Sequence, residues 1–216
     1  MLTPATKSGR FISILSDGLF HESVNPNTEG AILREYELKD GTKGSKHELL
    51  YKDIEGEVVN VQFRDGDYGE QVQITVRDND EDITISQGVG TNFGEDLLKK
   101  LPNIQFEKRA KFAPYAFTDD SEKERRGVTI YQDGEKVSSH FWDGEKNVNG
   151  YPTPEGDTST YKSDDWKLFY LQARKFLVNF NKETVVPKFD GYAPSIKSSE
   201  AIEYPENDLK PEDIGF

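Results

Sequence analysis

The chain has 216 residues, of which 34% are hydrophobic and 12% aromatic, and its mean hydropathy is −0.77. This composition predicts one domain with a modest core, in which aromatic rings supply much of the buried area, together with long polar loops. The net charge of −13 excludes general attraction to nucleic acid or anionic membrane, so any nucleic-acid site would be a local basic and aromatic surface. The absence of cysteine excludes disulfides, thiolate metal sites and cysteine nucleophiles.

Alternating apolar residues predict strands through the first half of the chain. Three such segments lie at residues 11–15, 31–38 and 47–51. A hairpin follows, because the alternation before the turn residues RDGDYG, at Val59, Val61 and Phe63, resumes after them at residues 72–76. After a turn at residues 78–80, Ile83 and Ile85 predict one more strand.

A short helix is predicted over residues 94–101, with Thr91 or Asn92 as its cap and Pro102 at its end. Strands are predicted again at residues 104–112, 127–132 and 136–142. Because strands and helices do not alternate regularly, a doubly wound parallel sheet is not expected. Three strands, a helix and two strands is the order of an OB-type barrel. The predicted fold is therefore mainly β with one short and one longer helix, an OB-fold-like barrel with loop hairpin additions.

The longer helix is predicted at residues 163–182, after a loop at residues 147–163 that is rich in Gly, Pro, Thr and Ser. Ser163 is the expected N-cap, and the helix dipole favours the two aspartates that follow it. One face carries Trp166, Phe169, Tyr170, Ala173, Phe176, Leu177 and Phe180. We expect this face to pack onto the barrel, and self-association is the alternative. Residues 1–186 would then form the domain, and residues 187–216 a disordered, acidic tail.

Motifs for catalysis or cofactor binding do not reach a recognisable spacing. The stretch GVGTNFG departs from the dinucleotide fingerprint, and two acidic residues follow it where a phosphate would lie. The alternating aspartates of residues 78–82 lack the glycine and the glutamate of a calcium loop. His21, His47 and His140 have no zinc-binding spacing. We therefore expect neither an enzyme nor a metal or cofactor.

Cations and rings alternate in FEKRAKFAPYAF (residues 106–117) and EKERRGVTIYQDGEK (residues 122–136). This combination is typical of single-strand binding, because cations follow the phosphates and rings stack on unpaired bases. The predicted DNA-binding residues are Lys108, Arg109, Lys111, Tyr115, Phe117, Arg125, Arg126 and Tyr131. Further candidates on neighbouring loops are Phe20, Arg64, Tyr68 and Trp142. In the alternative interpretation the rings belong to the core, and nearby glutamates neutralise a solvated hairpin.

The last ten residues, NDLKPEDIGF, combine acidic residues with a terminal aromatic ring. This ending resembles the C-terminal peptide of bacterial and phage-encoded single-stranded DNA-binding proteins, whose bacterial form typically ends Asp-Asp-Asp-Ile-Pro-Phe. Glu212, Asp213, Ile214 and Phe216 match that peptide, whereas Gly215 replaces its proline. In that family the peptide docks into basic-rimmed pockets of replication and repair proteins. The resemblance therefore implies partners of the polymerase, helicase or nuclease type for these four residues.

Body and tail together predict a protein that binds single-stranded DNA without catalysis during replication or recombination. The alternative is a phage or bacterial interaction module that uses the tail as a docking peptide and has no DNA site. Because the chain has no cysteine, export signal or apolar stretch of membrane-spanning length, we expect it in the bacterial cytoplasm, either cellular or phage-encoded. The oligomeric state is left open by the sequence.

Overall fold

The structure is a computed structural model that describes residues 9–37, 41–66 and 69–192. In these residues ten strands form one sheet: β1 (Arg10–Ile14), β2 (Phe20–Ser23), β3 (Ile32–Glu37), β4 (Lys43–Tyr51), β5 (Ile54–Gly66), β6 (Gly69–Asp78), β7 (Glu81–Gly88), β8 (Arg109–Thr118), β9 (Glu124–Gln132) and β10 (Glu135–Lys136). Two α-helices accompany the sheet, α1 (Asn92–Lys100) and α2 (Ser163–Thr184). The predicted mainly β architecture with one short and one longer helix is confirmed.

A Greek key forms the centre of the sheet. Strands β5, β6 and β7 pair in sequence, and after α1 the chain returns so that β8 pairs with the first part of β5. The resulting order β8-β5-β6-β7 is the Greek-key order, and β9 continues it beyond β8. Alternation along these strands buries Val61, Ile74 and Ile85 completely on one face, which α1 and α2 cover.

The four N-terminal strands extend the other side of the sheet. Strand β1 pairs parallel with β7 and antiparallel with β2, and β4 and β3 follow. The β1–β2 turn touches β8, since a Cβ built on Gly18, which has φ +75°, would lie 2.3 Å from the backbone nitrogen of Ala116. Because β1 and β8 are four steps apart in the strand order, this contact requires a strongly curved sheet.

No barrel is found in the described residues, because the sheet is open with β10 and β3 at its edges. The neighbours of β7 and β9 explain this correction to the predicted barrel. Strand β1 occupies the edge of β7, and α1 lies along the edge of β9. There Asp96 Oδ2 accepts the Val128 N–H at 2.7 Å, and Lys100 Nζ donates to the Val128 carbonyl at 2.7 Å. Helix side chains thus satisfy the β9 backbone groups that a closing strand would use.

Helix α2 packs through its C-terminal half. Ala173, Leu177 and Val178 are buried, and the side-chain amide of Asn181 donates to the Leu98 carbonyl of α1 at 3.0 Å. Rings of the predicted apolar face surround Phe141, with centroid distances of 5.6 Å to Phe176 and 5.0 Å to Phe180. The helix begins as predicted, except that Lys162 takes the N-cap position instead of Ser163.

The described chain remains in contact with the body beyond residue 187. A 3₁₀ turn covers Val186–Phe189, and the Phe189 ring meets Phe106 edge-on at 4.8 Å. The Tyr192 hydroxyl then donates to Asp82 Oδ2 at 2.9 Å. Residues 193–216 lie outside the described residues, and so does most of the predicted tail.

Several strand boundaries differ from the prediction. Strand β2 was not predicted, and residues 104–108 form an irregular segment with a turn instead of a strand. The strand predicted at residues 127–132 is part of β9, whereas Lys136 is the only residue of the strand predicted at residues 136–142 that lies in a strand. A bulge between Val58 and Asn60 makes Val58, not Val59, the buried valine. Thr91 caps α1 by accepting the Gly94 N–H at 3.0 Å, as predicted. Among the described helices none is long and apolar enough to cross a membrane.

Candidate nucleic-acid interface

Alternate residues of β8 and β9 share the outer face of the sheet. Ala110, Phe112 and Pro114 point inward and are buried, so the residues between them point outward. The outward residues are Arg109, Lys111, Ala113, Tyr115 and Phe117 on β8 and Arg125, Gly127, Thr129 and Tyr131 on β9, here called the β8–β9 strip. At about 3.4 Å per residue, the strip is about 27 Å long from Arg109 to Phe117. It contains six of the eight predicted DNA-binding residues.

Two rings lie near the tip of the β8–β9 hairpin. Phe117 is 56% exposed, and its ring centroid is 5.8 Å from that of Tyr115. Tyr115 crosses β9 at Gly127, where a Cβ would lie 2.6 Å from the tyrosine hydroxyl, so only glycine admits the ring in this position. Partial burial and the nearby charge of Asp96 raise the pKa of Tyr115. The ring is therefore a neutral, partly open apolar surface.

A groove of about 690 Å³ occupies the other end of the strip. Its lining residues are Asp53, Glu55, Arg109, Lys111, Ala113, Tyr131, Asp133 and Gly134. The register explains this composition, because β5 brings Glu55 directly opposite Lys111, while β9 brings Tyr131 to the other side of the same lysine. The groove thus has one ring and two cations, but also three carboxylates.

Each of the five predicted DNA-binding cations has a carboxylate partner. The pairs are Lys108–Asp133 at 2.7 Å, Arg109–Asp78 at 2.8 Å, Lys111–Asp53 at 3.1 Å, Arg125–Asp119 at 2.7 Å and Arg126–Glu124 at 3.0 Å. The hydrogen bond to Asp133 raises the pKa of Lys108, and the one from Arg125 lowers the pKa of Asp119. These pairs are largely exposed, so each contributes little to stability and can exchange partners.

Lys108 and Arg126 lie outside the strip. Lys108 precedes β8 and reaches the groove only through Asp133. Arg126 pairs with Ala116 across the ladder and therefore points to the opposite face from Arg125. Beside it, a smaller pocket of about 180 Å³ is lined by Ser16 and Asp17 of the β1–β2 turn together with the hairpin tip.

The further candidates are dispersed. Phe20 is wrong as a DNA contact, because it is fully buried on β2. Arg64 is exposed near the end of β5, and Trp142 is 50% exposed in an irregular segment after β10, so neither belongs to the β8–β9 ladder. Tyr68 and the tail residues Glu212, Asp213, Ile214 and Phe216 lie outside the described residues.

The carboxylates that pair with the strip were not recognised from the sequence. Asp53 and Glu55 lie more than fifty residues before Arg109 and reach the strip only because β5 pairs with β8. Asp78 is the last residue of β6, next to the β6–β7 turn. The spacing of residues along the sequence gives no sign that these three carboxylates lie near the strip. Asp133 is different, because the turn dipeptide Asp133-Gly134 follows the predicted strand at residues 127–132 directly.

A second polar cluster lies on the other half of the sheet. His21 is buried between two carboxylates, with Nδ1 2.8 Å from Glu48 Oε2 and Nε2 3.0 Å from Asp17 Oδ2. Arg34 donates to both Glu48 oxygens at 2.7 Å, so this carboxylate is already fully engaged by side chains. In the described part of the chain no group of His, Asp and Glu is arranged to hold a metal ion.

Comparison of the chain with known proteins gives no matching family model, no curated relative and no matching solved structure.

Proposed function

We propose that the protein binds single-stranded DNA, without catalysis, along the β8–β9 strip. The observation that carries this proposal is the register of β8 and β9, which collects three rings and three cations on one outer face. The rings are Tyr115, Phe117 and Tyr131, and the cations are Arg109, Lys111 and Arg125. Rings of this kind stack on unpaired bases while cations follow the phosphates. A duplex hides its base faces, so such a surface selects for single strands.

The dimensions of the strip suit a short stretch of one strand. Its length of about 27 Å accommodates roughly four nucleotides, the lower end of the range of about 4–16 for one OB-type module. Ala113 and Thr129, which face each other across the ladder, are small and leave a shallow passage between the rings at the tip and the ring in the groove. A strand in this passage would meet Phe117 at one end and Tyr131 at the other.

The element order supports the same class of function. Strands β5, β6 and β7, helix α1 and strands β8 and β9 follow one another as in an OB fold, and we propose that they act as an opened form of that barrel. OB folds bind oligonucleotides partly through the loop between their fourth and fifth strands. In this chain that loop joins β8 to β9, directly beside Phe117 and Arg125.

The carboxylate pairs shape the expected affinity. Phosphates have to displace Asp53, Asp78 and Asp119 from the cations of the strip, on a protein with a net charge of −13. Binding should therefore be strongly salt-dependent and selective against weak ligands. In the proposed setting, a bacterial cytoplasm, the acidic tail competes for the same cations until DNA displaces it.

The C-terminal tip would recruit partner proteins. In this part of the proposal, a basic-rimmed pocket on a polymerase, helicase or nuclease holds the ring and terminal carboxylate of Phe216, next to Ile214, and attracts Glu212 and Asp213. The resemblance of the tip to the docking peptide of single-stranded DNA-binding proteins supports this role.

A non-nucleic-acid interaction module is the second candidate. The pairing of all five predicted cations favours it, because a surface already neutralised by its own carboxylates needs no phosphate. This candidate keeps the docking role of the tail and assigns no DNA to the strip.

Fluorescence titration with an oligo-dT separates the two candidates. We compare the full chain with a chain ending at Pro194, which keeps every described strand and helix but loses six acidic and two basic residues. DNA binding along the strip, which contains no tryptophan, predicts a saturable rise in the fluorescence anisotropy of dye-labelled oligo-dT at low salt, with tighter binding after truncation. A separate pull-down of candidate polymerases, helicases and nucleases, with and without Phe216, tests the docking role of the tip.

The interaction module predicts a different outcome of the titration. If neither form binds oligo-dT at low salt, the DNA-binding proposal is wrong. Equal affinities for single-stranded and duplex DNA would contradict ring stacking and indicate an electrostatic surface alone.

A further inference from the structure

The N-terminal half of α2 exposes apolar side chains on the side opposite the core. No residue of α2 before Ala173 is buried, and Leu168 and Leu171 are 55% and 58% exposed. Ala173, Leu177 and Phe180 point to the body, so a partner could approach the two leucines without meeting the sheet. Among the described residues, nothing else covers this side of the helix.

The two leucines belong to a short stripe with charged ends. Asp164, Leu168, Leu171 and Lys175 follow one another at spacings of four, three and four residues, which places them in one row along the helix. Asp164 and Lys175 are both exposed. The stripe therefore begins with an acid, has two leucines at its centre and ends with a base.

This order is complementary to itself when two copies of the helix run antiparallel. About a centre between residues 169 and 170, Leu168 of one copy meets Leu171 of the other, and Asp164 meets Lys175. Both contacts occur twice by two-fold symmetry, as an isologous interface requires.

We propose that the protein self-associates through this stripe, with a second copy of the chain as its partner. The charge order selects the antiparallel pair, because a parallel pair in the same register would place Asp164 against Asp164 and Lys175 against Lys175. Asp164 also pairs with Lys167 at 2.9 Å, but both side chains are largely exposed and the pair is easily exchanged. The proposal goes beyond DNA binding and does not depend on it.

The interface is expected to be weak. Four leucines and four charges on three helical turns bury less than the roughly 1,200 Å² of a stable interface. The full chain should therefore change from monomer to dimer over about 10 µM to 1 mM, as weak interfaces do.

Sedimentation equilibrium of the full chain without nucleic acid tests this proposal. Asp164→Lys or Lys175→Glu alone places like charges opposite each other twice across the interface and should weaken association about tenfold or more. An equimolar mixture of these two variants should associate again, because the heterodimer restores opposite charges at both ends. Leu168→Gln should remove association without changing the far-ultraviolet circular dichroism. Glu183→Lys, exposed on the last turn and outside the stripe, is the matched control and should associate like the unaltered chain.

Two results would overturn the proposal. If the full chain stays monomeric up to about 1 mM, the partner of the stripe is not a second copy but another protein or residues 193–216 of the same chain. Association that persists in Leu168→Gln, or a mixture of the charge variants no stronger than either alone, would place the interface elsewhere.

Discussion

Phe117 is the residue whose role in strand binding can be separated most clearly from a role in folding. Its ring is 56% exposed at the end of β8 and contacts Tyr115, whereas the neighbouring Phe112 is fully buried. Alternation along one strand thus divides the aromatic residues of the segment between core and surface. The core interpretation of this segment therefore applies to Phe112, and the DNA-binding interpretation applies to Tyr115 and Phe117.

Replacing Phe117 by alanine should weaken oligo-dT binding about 5- to 150-fold, since stacking contributes about 1–3 kcal/mol per base. Stability should change little, because the ring is exposed. Fluorescence titration and urea unfolding measure the two effects. Phe11→Ala is the matched control, because Phe11 is 44% exposed on β1, outside the strip. Equal loss in both variants would show that the strip has no special role.

Asp133 tests whether the carboxylate pairs restrain DNA binding. Asp133→Asn should free Lys108, which lies 2.7 Å from the carboxylate, and tighten oligo-dT binding about two- to fivefold at low salt. The backbone should tolerate the change, since asparagine readily adopts the φ of 52° found there. The charge-matched control is Glu29→Gln, exposed between β2 and β3. No gain beyond this control would mean that Lys108 does not contact the strand.

At the scale of elements, helix α1 contacts the outer edge of β9 at Val128, before the short pairing of β9 with β10 at residues 131–132. Asp96 and Lys100, one turn apart, engage the N–H and the carbonyl of Val128. The same helix is tied to α2 by Asn181, so β9, α1 and α2 form one connected unit behind the strip. The orientation of β9, and with it of Arg125 and Tyr131, depends on this contact.

Asp96→Ala should destabilise the fold by about 1–3 kcal/mol, because the buried Val128 N–H loses its acceptor. Urea unfolding measures the change. Glu95→Ala is the comparison, since the adjacent acid interacts with the side chains of Lys99 and Tyr151 and is not the acceptor of the Val128 N–H, so its loss should cost less than that of Asp96. Equal effects of the two substitutions would contradict the role given to Asp96.

The N-terminal strands contain an acid-sensitive network. Burial alone would raise the pKa of Glu48, but hydrogen bonds from Arg34 and His21 outweigh it and hold the pKa below its usual value of 4.5. Burial, Arg10 and Tyr51 act in the same way on the pKa of Glu22. Both carboxylates therefore stabilise the fold above their unfolded pKa, and this contribution is lost as the pH falls through their lower folded values.

Glu48→Gln should lower stability by about 1–3 kcal/mol at neutral pH and reduce the loss of stability on acidification. Thermal unfolding of both proteins at neutral pH and at about pH 3 measures the difference. The two proteins should differ less in acid, where the glutamate is itself protonated. A constant difference across the pH range would show that the charge of Glu48 is not what stabilises β3 and β4.

The elements that the sequence predicted best are those with strong local alternation. Hairpin β5–β6 was recognised from its valines and isoleucines, and α1 from Thr91. Strand β8 was shifted, because Pro114 argues against a strand. In the structure β5 pairs with β8 only as far as Phe112, so Pro114 lies where β8 has β9 as its single partner and the missing N–H costs nothing. The β5–β8 pairing itself, which delivers Asp53 and Glu55 to the groove, leaves no local pattern.

At the scale of the whole molecule, single-strand binding depends more on how charges are distributed over the surface than on the net charge. A protein with a charge of −13 presents a strip on which each of the three cations is matched by a carboxylate, and rings lie between the pairs. Single-strand binding on such a surface depends on stacking and on exchange of ion-pair partners. The curved sheet contributes by bringing the β1–β2 turn against β8, which supports the hairpin tip from one side.

Ultraviolet crosslinking of oligo-dT to the full chain, followed by tryptic peptide mapping, tests the central claim most directly. Stacked bases crosslink to the rings they touch, and cleavage after Lys111, Lys123, Arg126 and Lys136 separates the relevant peptides. Binding along the strip predicts crosslinks in residues 112–123, at Tyr115 or Phe117, and in residues 127–136, at Tyr131. Crosslinks confined to peptides outside β8 and β9, or none under conditions in which the DNA is bound, would contradict it.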